Sequence, residues 1–386
     1  MTFSDKIDEW IKEAEARPAS ALTILRLVSN RMRELNERNE ELLSENIALQ
    51  DGSRVQEYQQ RISHLEYQLE MLKRRVGSDF SALQPTPVEA EKACLLVYNV
   101  CGQILRLEPQ AGPGPLGRIR GELAFNGEWP RILSVSSQEE LLLLFSSGRI
   151  ATCSASQIAQ QALGGGLAWD QAALPEEPHA GEQLACIMPL SGLPLSAYFL
   201  QTSRRGSVKK MMTSLAESVL SKRYLGKGTF QKADQAFEVC LCQKENRYAL
   251  ITYEGRLLGL DVDSLPYAAE ERIRITASDY VVAAFVLSAQ AGLICLTQTG
   301  KVIHRPADIL EPAKSPLARG QALIPPARLE QGTRFIGAVA VREGDRVCVL
   351  DADGNLNVYD AEALSGKGTL AAGALILSIG VIAAQA

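Results

Sequence analysis

The stretch Leu293-Ile294-Cys295-Leu296-Thr297-Gln298-Thr299-Gly300-Lys301-Val302-Ile303-His304-Arg305 reads as two β-strands joined at a Thr-Gly turn. Apolar and β-branched residues fill both arms, and the glycine supplies the positive φ of a tight hairpin. The same pattern is written six times. The other copies centre on Cys101-Gly102-Gln103-Ile104, Ser147-Gly148-Arg149-Ile150, Arg205-Gly206-Ser207-Val208, Glu254-Gly255-Arg256-Leu257 and Asp353-Gly354-Asn355-Leu356. Each has an apolar run before the glycine and Ile, Val or Leu two residues after it.

The turn glycines recur every 45 to 58 residues. A hairpin needs only about 15 residues, so each repeat holds more than one. The second halves also recur. Arg319-Gly320-Gln321-Ala322-Leu323, then Leu329-Glu330-Gln331-Gly332 and Phe335-Ile336-Gly337-Ala338-Val339, parallel Gly121-Glu122-Leu123, then Asn126-Gly127-Glu128-Trp129 and Ile132-Leu133-Ser134-Val135. Each unit is thus about four strands, the size of a propeller blade. One such sheet cannot bury both faces alone, but six around an axis can. The expected class is mainly β, a six-bladed β-propeller over 92–386, with loops at 111–115, 164–166 and 174–179.

The repeat resembles the blade of the C-terminal domain of DNA gyrase A and of its topoisomerase IV counterpart. The order is an apolar run, Thr, Gly, a basic residue, an apolar strand, a Lys/Arg-Gly step, an acidic-Gly turn and a closing apolar strand; Leu293 to Val341 matches it best. The resemblance covers about 94–384 and implies a six-bladed β-pinwheel whose rim wraps DNA.

Ahead of the repeats the period changes. Leu25, Met32, Asn39 and Asn46 fall at heptad position a, and Val28, Leu35, Leu42 and Leu49 at d. Asp51-Gly52-Ser53 interrupts the register, which resumes out of phase through Val55, Tyr58, Ile62, Leu65, Leu69, Leu72 and Val76. Apolar seams ringed by charge predict an α-helical coiled coil over 1–76. Asn at a favours a parallel homodimer; a helical hairpin turning at Asp51-Gly52-Ser53 is the competing reading. Residues 77–91, with Pro85 and Pro87, read as a linker. Met1 to Glu15 is acidic and amphipathic rather than a signal peptide. The uncharged tail 370–386 reads as the last strand of the sixth blade rather than a membrane anchor. A cytoplasmic protein without membrane contact is expected.

Eight cysteines without a CxxC pair read as reduced and mostly buried thiols. Three scattered histidines leave few metal ligands; no metal or cofactor is expected. No P-loop, GxSxG elbow or HExxH pair occurs. Residues 1–90 are too short and too helical for a topoisomerase's Tyr nucleophile and acidic metal site. The chain reads as non-catalytic, at most an accessory to such an enzyme.

The net charge of −5 gives no general drive toward nucleic acid. Residues 1–89 carry −4 and the remainder −1, unlike the strongly basic rim expected of a DNA-wrapping pinwheel. Residues 204–232 depart locally, with eight basic residues against Glu217 alone. Within them, Lys222-Arg223-Tyr224-Leu225-Gly226-Lys227-Gly228 is similar to the gyrase box Q-R-R-G-G-K-G at Arg223, Gly226, Lys227 and Gly228, and differs at Lys222, Tyr224 and Leu225. The candidate contacts to the phosphates of double-stranded DNA are Arg204, Arg205, Lys209, Lys210, Lys222, Arg223 and Lys227. Arg149 and Arg256 are read as lying outside the patch. A propeller that presents its loops to a protein partner as a coiled-coil scaffold is the alternative.

Overall fold

The computed structural model describes residue 29 and residues 91–384, apart from 110–111, 126, 162–166, 170–173, 226–233, 288–290, 307–309, 314 and 371–373. The heptads from Leu25 to Leu72 and the linker up to residue 90 lie outside the described residues. Residues from Ala90 to Ala386 belong to one unit.

That unit is built repeat by repeat. The first holds β1 (Ala93–Tyr98), β2 (Ile104–Leu107), β3 (Gly114–Arg120) and β4 (Arg131–Ser136). The second holds β5 (Glu140–Phe145), β6 (Ile150–Ser154), β7 (Leu167–Ala168) and β8 (Leu184–Pro189). The third has β9 (Tyr198–Ser203), β10 (Ser207–Met212), the helix α1 (Ala216–Lys222) and β11 (Ala236–Cys242). The fourth has β12 (Arg247–Thr252), β13 (Arg256–Asp261), β14 (Glu270–Glu271) and β15 (Val281–Leu287). In the fifth come β16 (Gly292–Thr297), β17 (Val302–Pro306), β18 (Gln321–Ala322), α2 (Pro326–Glu330) and β19 (Phe335–Val341). The sixth has β20 (Arg346–Asp351), β21 (Asn355–Asp360), α3 (Ala361–Lys367) and β22 (Ile376–Ile382).

Among the described residues these strands make six sheets. In each, the repeat's first strand lies in the middle, antiparallel to its second and its last, as in β2-β1-β4; the sixth sheet adds β3 and, parallel to it, β7. The middle strands explain the unbroken apolar runs. Leu95 and Val97 of β1 pack toward the sixth sheet, with Cys348, Leu350 and Leu377. Cys94, Leu96 and Tyr98 pack toward the second, with Leu141, Leu143 and Phe145. A strand buried on both faces cannot alternate apolar with polar. Further apolar clusters join the second sheet to the third, the third to the fourth, the fourth to the fifth and the fifth to the sixth.

The repeats also exchange backbone. The segment between a repeat's second and last strands leaves its own sheet; in most repeats it lies on the outer edge of the preceding one, while β7 of the second pairs with β3 at the edge of the sixth sheet. Thus β14 pairs with β10, β18 with β13, and Tyr224 bridges to Arg149. The first repeat gives β3 to β21 of the sixth. One contact recurs at every junction: the carbonyl of each turn glycine accepts an N–H from the next repeat. The pairs are Leu174 N to Gly102 at 3.3 Å, Leu225 to Gly148 at 2.9 Å, Arg272 to Gly206 at 3.1 Å, Leu323 to Gly255 at 2.9 Å, Leu370 to Gly300 at 2.8 Å and Ile119 to Gly354 at 2.8 Å.

This contact gives the glycines a second reason to be glycine. All six have φ between +78° and +89°, and a Cβ at Gly354 would stand 2.2 Å from the Ile119 carbonyl oxygen. The turn itself is one residue longer than the expected Thr-Gly hairpin. Gly300 N–H donates to Thr297 O at 2.9 Å, so Gln298 and Thr299 form the corner and glycine closes it. The tail forms β22, paired along its length with β20. No described helix is long and apolar enough to cross a membrane.

Candidate nucleic-acid interface

The box-like segment begins where α1 ends. Arg223 caps this helix in the left-handed region, φ 50°, the one non-glycine residue so placed among those described. The chain then runs along the outer edge of the second sheet: Ile150 N–H donates to Arg223 O at 3.0 Å, and Tyr224 OH donates to Ser147 O at 3.3 Å. Lys222 and Arg223 are exposed, with the Arg223 side chain 74% accessible. Gly226, Lys227 and Gly228 lie outside the described residues.

The other expected contacts fall on different elements. Arg204 and Arg205 belong to the β9–β10 turn. The Arg204 guanidinium lies over the rings of Phe237 (4.4 Å) and Tyr280 (5.2 Å), donates to Val281 O at 2.8 Å and forms an ion pair with Glu128. Burial pulls it down to about 10, which leaves it charged at neutral pH. Arg205 donates to the carbonyls of Thr276 (3.0 Å) and Asp279 (2.7 Å). Lys209 is half-buried, and burial pulls its ammonium down.

Lys210 is buried, 4% exposed. Its Nζ donates to Val262 O (3.3 Å) and Asp263 O (2.7 Å), between the rings of Tyr198 and Tyr267. It sits four residues after Gly206, as Arg106 sits four after Gly102. Arg106 likewise donates to Ala155 O and Ile158 O, each at 3.1 Å. Both cations close the 3-10 turn of the next repeat, Val262–Ser264 and Ala155–Gln157 respectively. Lys210 therefore holds two repeats together, and with Arg204 it is committed to internal contacts.

The exchanged segments carry basic residues that the local charge count passed over. Arg118 and Arg120 on β3, Arg274 beside β14 and Arg319 before β18 are all exposed. With Lys222 and Arg223 they lie on segments laid against the outer edges of the sixth, third, fourth and second sheets. The signal was the Lys/Arg-Gly step itself, as in Arg120-Gly121 and Arg319-Gly320.

Acidic residues also enter from outside the patch. Arg149 stacks over Phe145 at 3.8 Å and pairs with Glu182 (3.0 Å) and Glu176 (3.4 Å), and Glu176 reaches Arg223 at 3.2 Å. Arg149 is thus next to the box-like segment rather than apart from it. Burial pushes the Glu182 carboxyl up, but hydrogen bonds from Ser147, Arg149 and the His179 N–H outweigh it and hold it down at about 2. Six cysteines are buried and Cys240 half-buried, while Cys101 is exposed in its turn. Among the described residues no three His, Cys, Asp or Glu side chains gather as a metal site would require.

The architecture so defined is a mainly β repeat fold in which repeats pass backbone segments to neighbouring sheets. Solved structures contain the same fold. The DNA gyrase A C-terminal domain matches with a TM-score of 0.57 at 13% identity, over 75% of this chain and 100% of that one. A topoisomerase IV C-terminal domain matches with a TM-score of 0.49 at 17% identity, over 77% and 95%. The E. coli ParC C-terminal domain matches with a TM-score of 0.44 at 12% identity, over 64% and 100%. No family model and no curated protein matches the chain. The likeness to the gyrase A domain is one of fold: this chain has the gyrase A C-terminal β-pinwheel fold.

Proposed function

We propose that this chain is a non-catalytic DNA-binding protein that bends a duplex along the outer edges of a closed six-bladed pinwheel. One observation carries the reading: the exchanged segments, which form those edges, bear exposed Arg118, Arg120, Lys222, Arg223, Arg274 and Arg319. Six apolar junctions among six sheets support closure, since an open row of six has five. Backbone phosphates are the target, because among the described residues no recognition helix is offered to a groove. Arg205, Lys209 and Lys227 extend the contact, while Arg204 and Lys210 hold the blades that present it. The heptads of 25–76 support a parallel homodimer, whose two pinwheels would engage one duplex with added avidity. The fold match reaches only a C-terminal domain, and we read the chain as an accessory without a cleavage site, working in the cytoplasm.

Charge reversal tests the edge directly. Full-length protein with Arg118, Arg120, Arg274 and Arg319 changed to Glu should lose retention of supercoiled and linear DNA while melting as wild type does. Unchanged retention would remove the edge from the interface. A protein-scaffold reading is favoured by a separate observation. Leu195 (77% exposed), Met212 (49%), Leu215 (52%) and Tyr267 (56%) are large apolar side chains left open on and beside the third sheet. Capture of a protein partner in the absence of DNA retention would favour it.

A further inference from the structure

We propose that Arg149 and Arg223 form a phosphate seat that Glu176 holds shut; this rests on the DNA reading above. The two oxygens of Glu176 are divided between two guanidinium groups, Oε2 to Arg149 Nη1 at 3.4 Å and Oε1 to Arg223 Nη1 at 3.2 Å. The arginines come from different repeats and meet because Tyr224 bridges to Arg149. A carboxylate spanning two guanidinium groups stands in for two oxygens of one phosphate.

The neighbours determine which anion can leave. Glu182 is fixed: its side chain is 13% exposed and accepts from Ser147 Oγ, from Arg149 Nε at 3.0 Å and from the His179 N–H at 3.0 Å. It stays and neutralises one charge. Glu176 is 39% exposed, on a surface loop between Pro175 and Pro178. Ion pairs at such exposure add little to stability. A phosphate on a duplex displaces the carboxylate with the added drive of counterion release. In the wild-type protein Glu176 therefore subtracts from the charge that the sequence assigns to 204–232. It sets a threshold: a duplex must bring enough other phosphate contacts to open the seat.

The test is fluorescence anisotropy with full-length protein and a labelled duplex of mixed sequence at about 0.1 M salt, where the Debye length is about 10 Å. Glu176→Gln should bind about three- to tenfold tighter, and its slope of log K against log salt should steepen by about 1. Glu177→Gln removes the same charge from a neighbour whose carboxylate has no described ion pair, and should change affinity less than about twofold. Arg223→Glu added to Glu176→Gln should erase the gain. Thermal melts confirm that each variant folds. If wild type binds and Glu176→Gln binds no tighter, or Glu177→Gln gains as much, the seat is refuted while the DNA reading stands. If Glu176→Gln alone binds, the seat is supported in its fully closed form. If neither binds, the DNA reading fails and the seat with it.

Discussion

Arg131 offers a quantitative test of how the sheets are tied together. It opens β4 of the first sheet. Its Nη1 donates to Ala185 O of the second sheet at 2.8 Å and to Phe237 O of the third at 3.1 Å, and its Nη2 forms an ion pair with Glu238. The guanidinium also lies 4.8 Å from the centre of the Phe237 ring. One side chain thus joins three sheets. Burial pushes the Glu238 carboxyl up, against the pull of Arg131. Arg131→Met leaves that carboxylate unpaired, with two carbonyls lacking a donor. Breaking a buried pair costs about 3–5 kcal/mol. The side chains are 29% and 14% exposed, so the lower end applies, about 3 kcal/mol. Urea unfolding followed by circular dichroism should show a lower midpoint at unchanged m, and Tm should fall by about 5–10 °C. Arg131→Met with Glu238→Leu removes both charges and should recover most of the loss, because an apolar replacement of a buried pair is often neutral. A loss below about 1 kcal/mol, or a double variant weaker than the single, would refute the reasoning.

Three further outcomes are expected. Lys210→Met should cost about 1–3 kcal/mol by taking the donor from the Asp263 carbonyl and leaving Val262 O with the Leu265 N–H alone, with DNA affinity unchanged; Arg223→Glu should do the reverse, and parallel melts and anisotropy titrations separate the two. Gly354→Ala should destabilise by about 2 kcal/mol or more, because its Cβ would meet Ile119 O at 2.2 Å, whereas Gly127→Ala meets nothing within 4 Å and should show only the cost of its φ of +78°. Glu182→Gln should melt below wild type at neutral pH. Its carboxyl is held below its usual 4.5 at about 2, so this stabilisation is complete above pH 4.5 and fades as pH falls toward 2; a gap between the melts that grows on acidification would contradict it.

The repeat was legible because glycine at the turn and an apolar residue two positions later are local necessities. Ile104, Ile150, Val208, Leu257, Val302 and Leu356 are all buried. The exchange of segments was not legible, since the N–H partner of each glycine carbonyl lies in the next repeat, as Leu225 does for Gly148. Among the described residues the first, second, fourth and fifth repeats have the expected four strands, while the third and sixth have three and a helix in the remaining place; the segment before the last strand serves another sheet. The basic patch shows the same limit. Counting charge along 204–232 cannot separate Lys210, which closes a turn of the fourth repeat, from Arg223, which faces solvent. Nor can it include Glu176 or Arg118, which only the fold brings to the outer edges.

The most direct measurement is a titration of full-length protein with linear and supercoiled DNA at several salt concentrations around 0.1 M. With four to six phosphates neutralised, log K should fall against log salt with a slope of about −4 to −5, for any duplex sequence. Failure to retain either DNA near 0.1 M salt, or binding that salt leaves unchanged, would contradict phosphate contact by the pinwheel's outer edges.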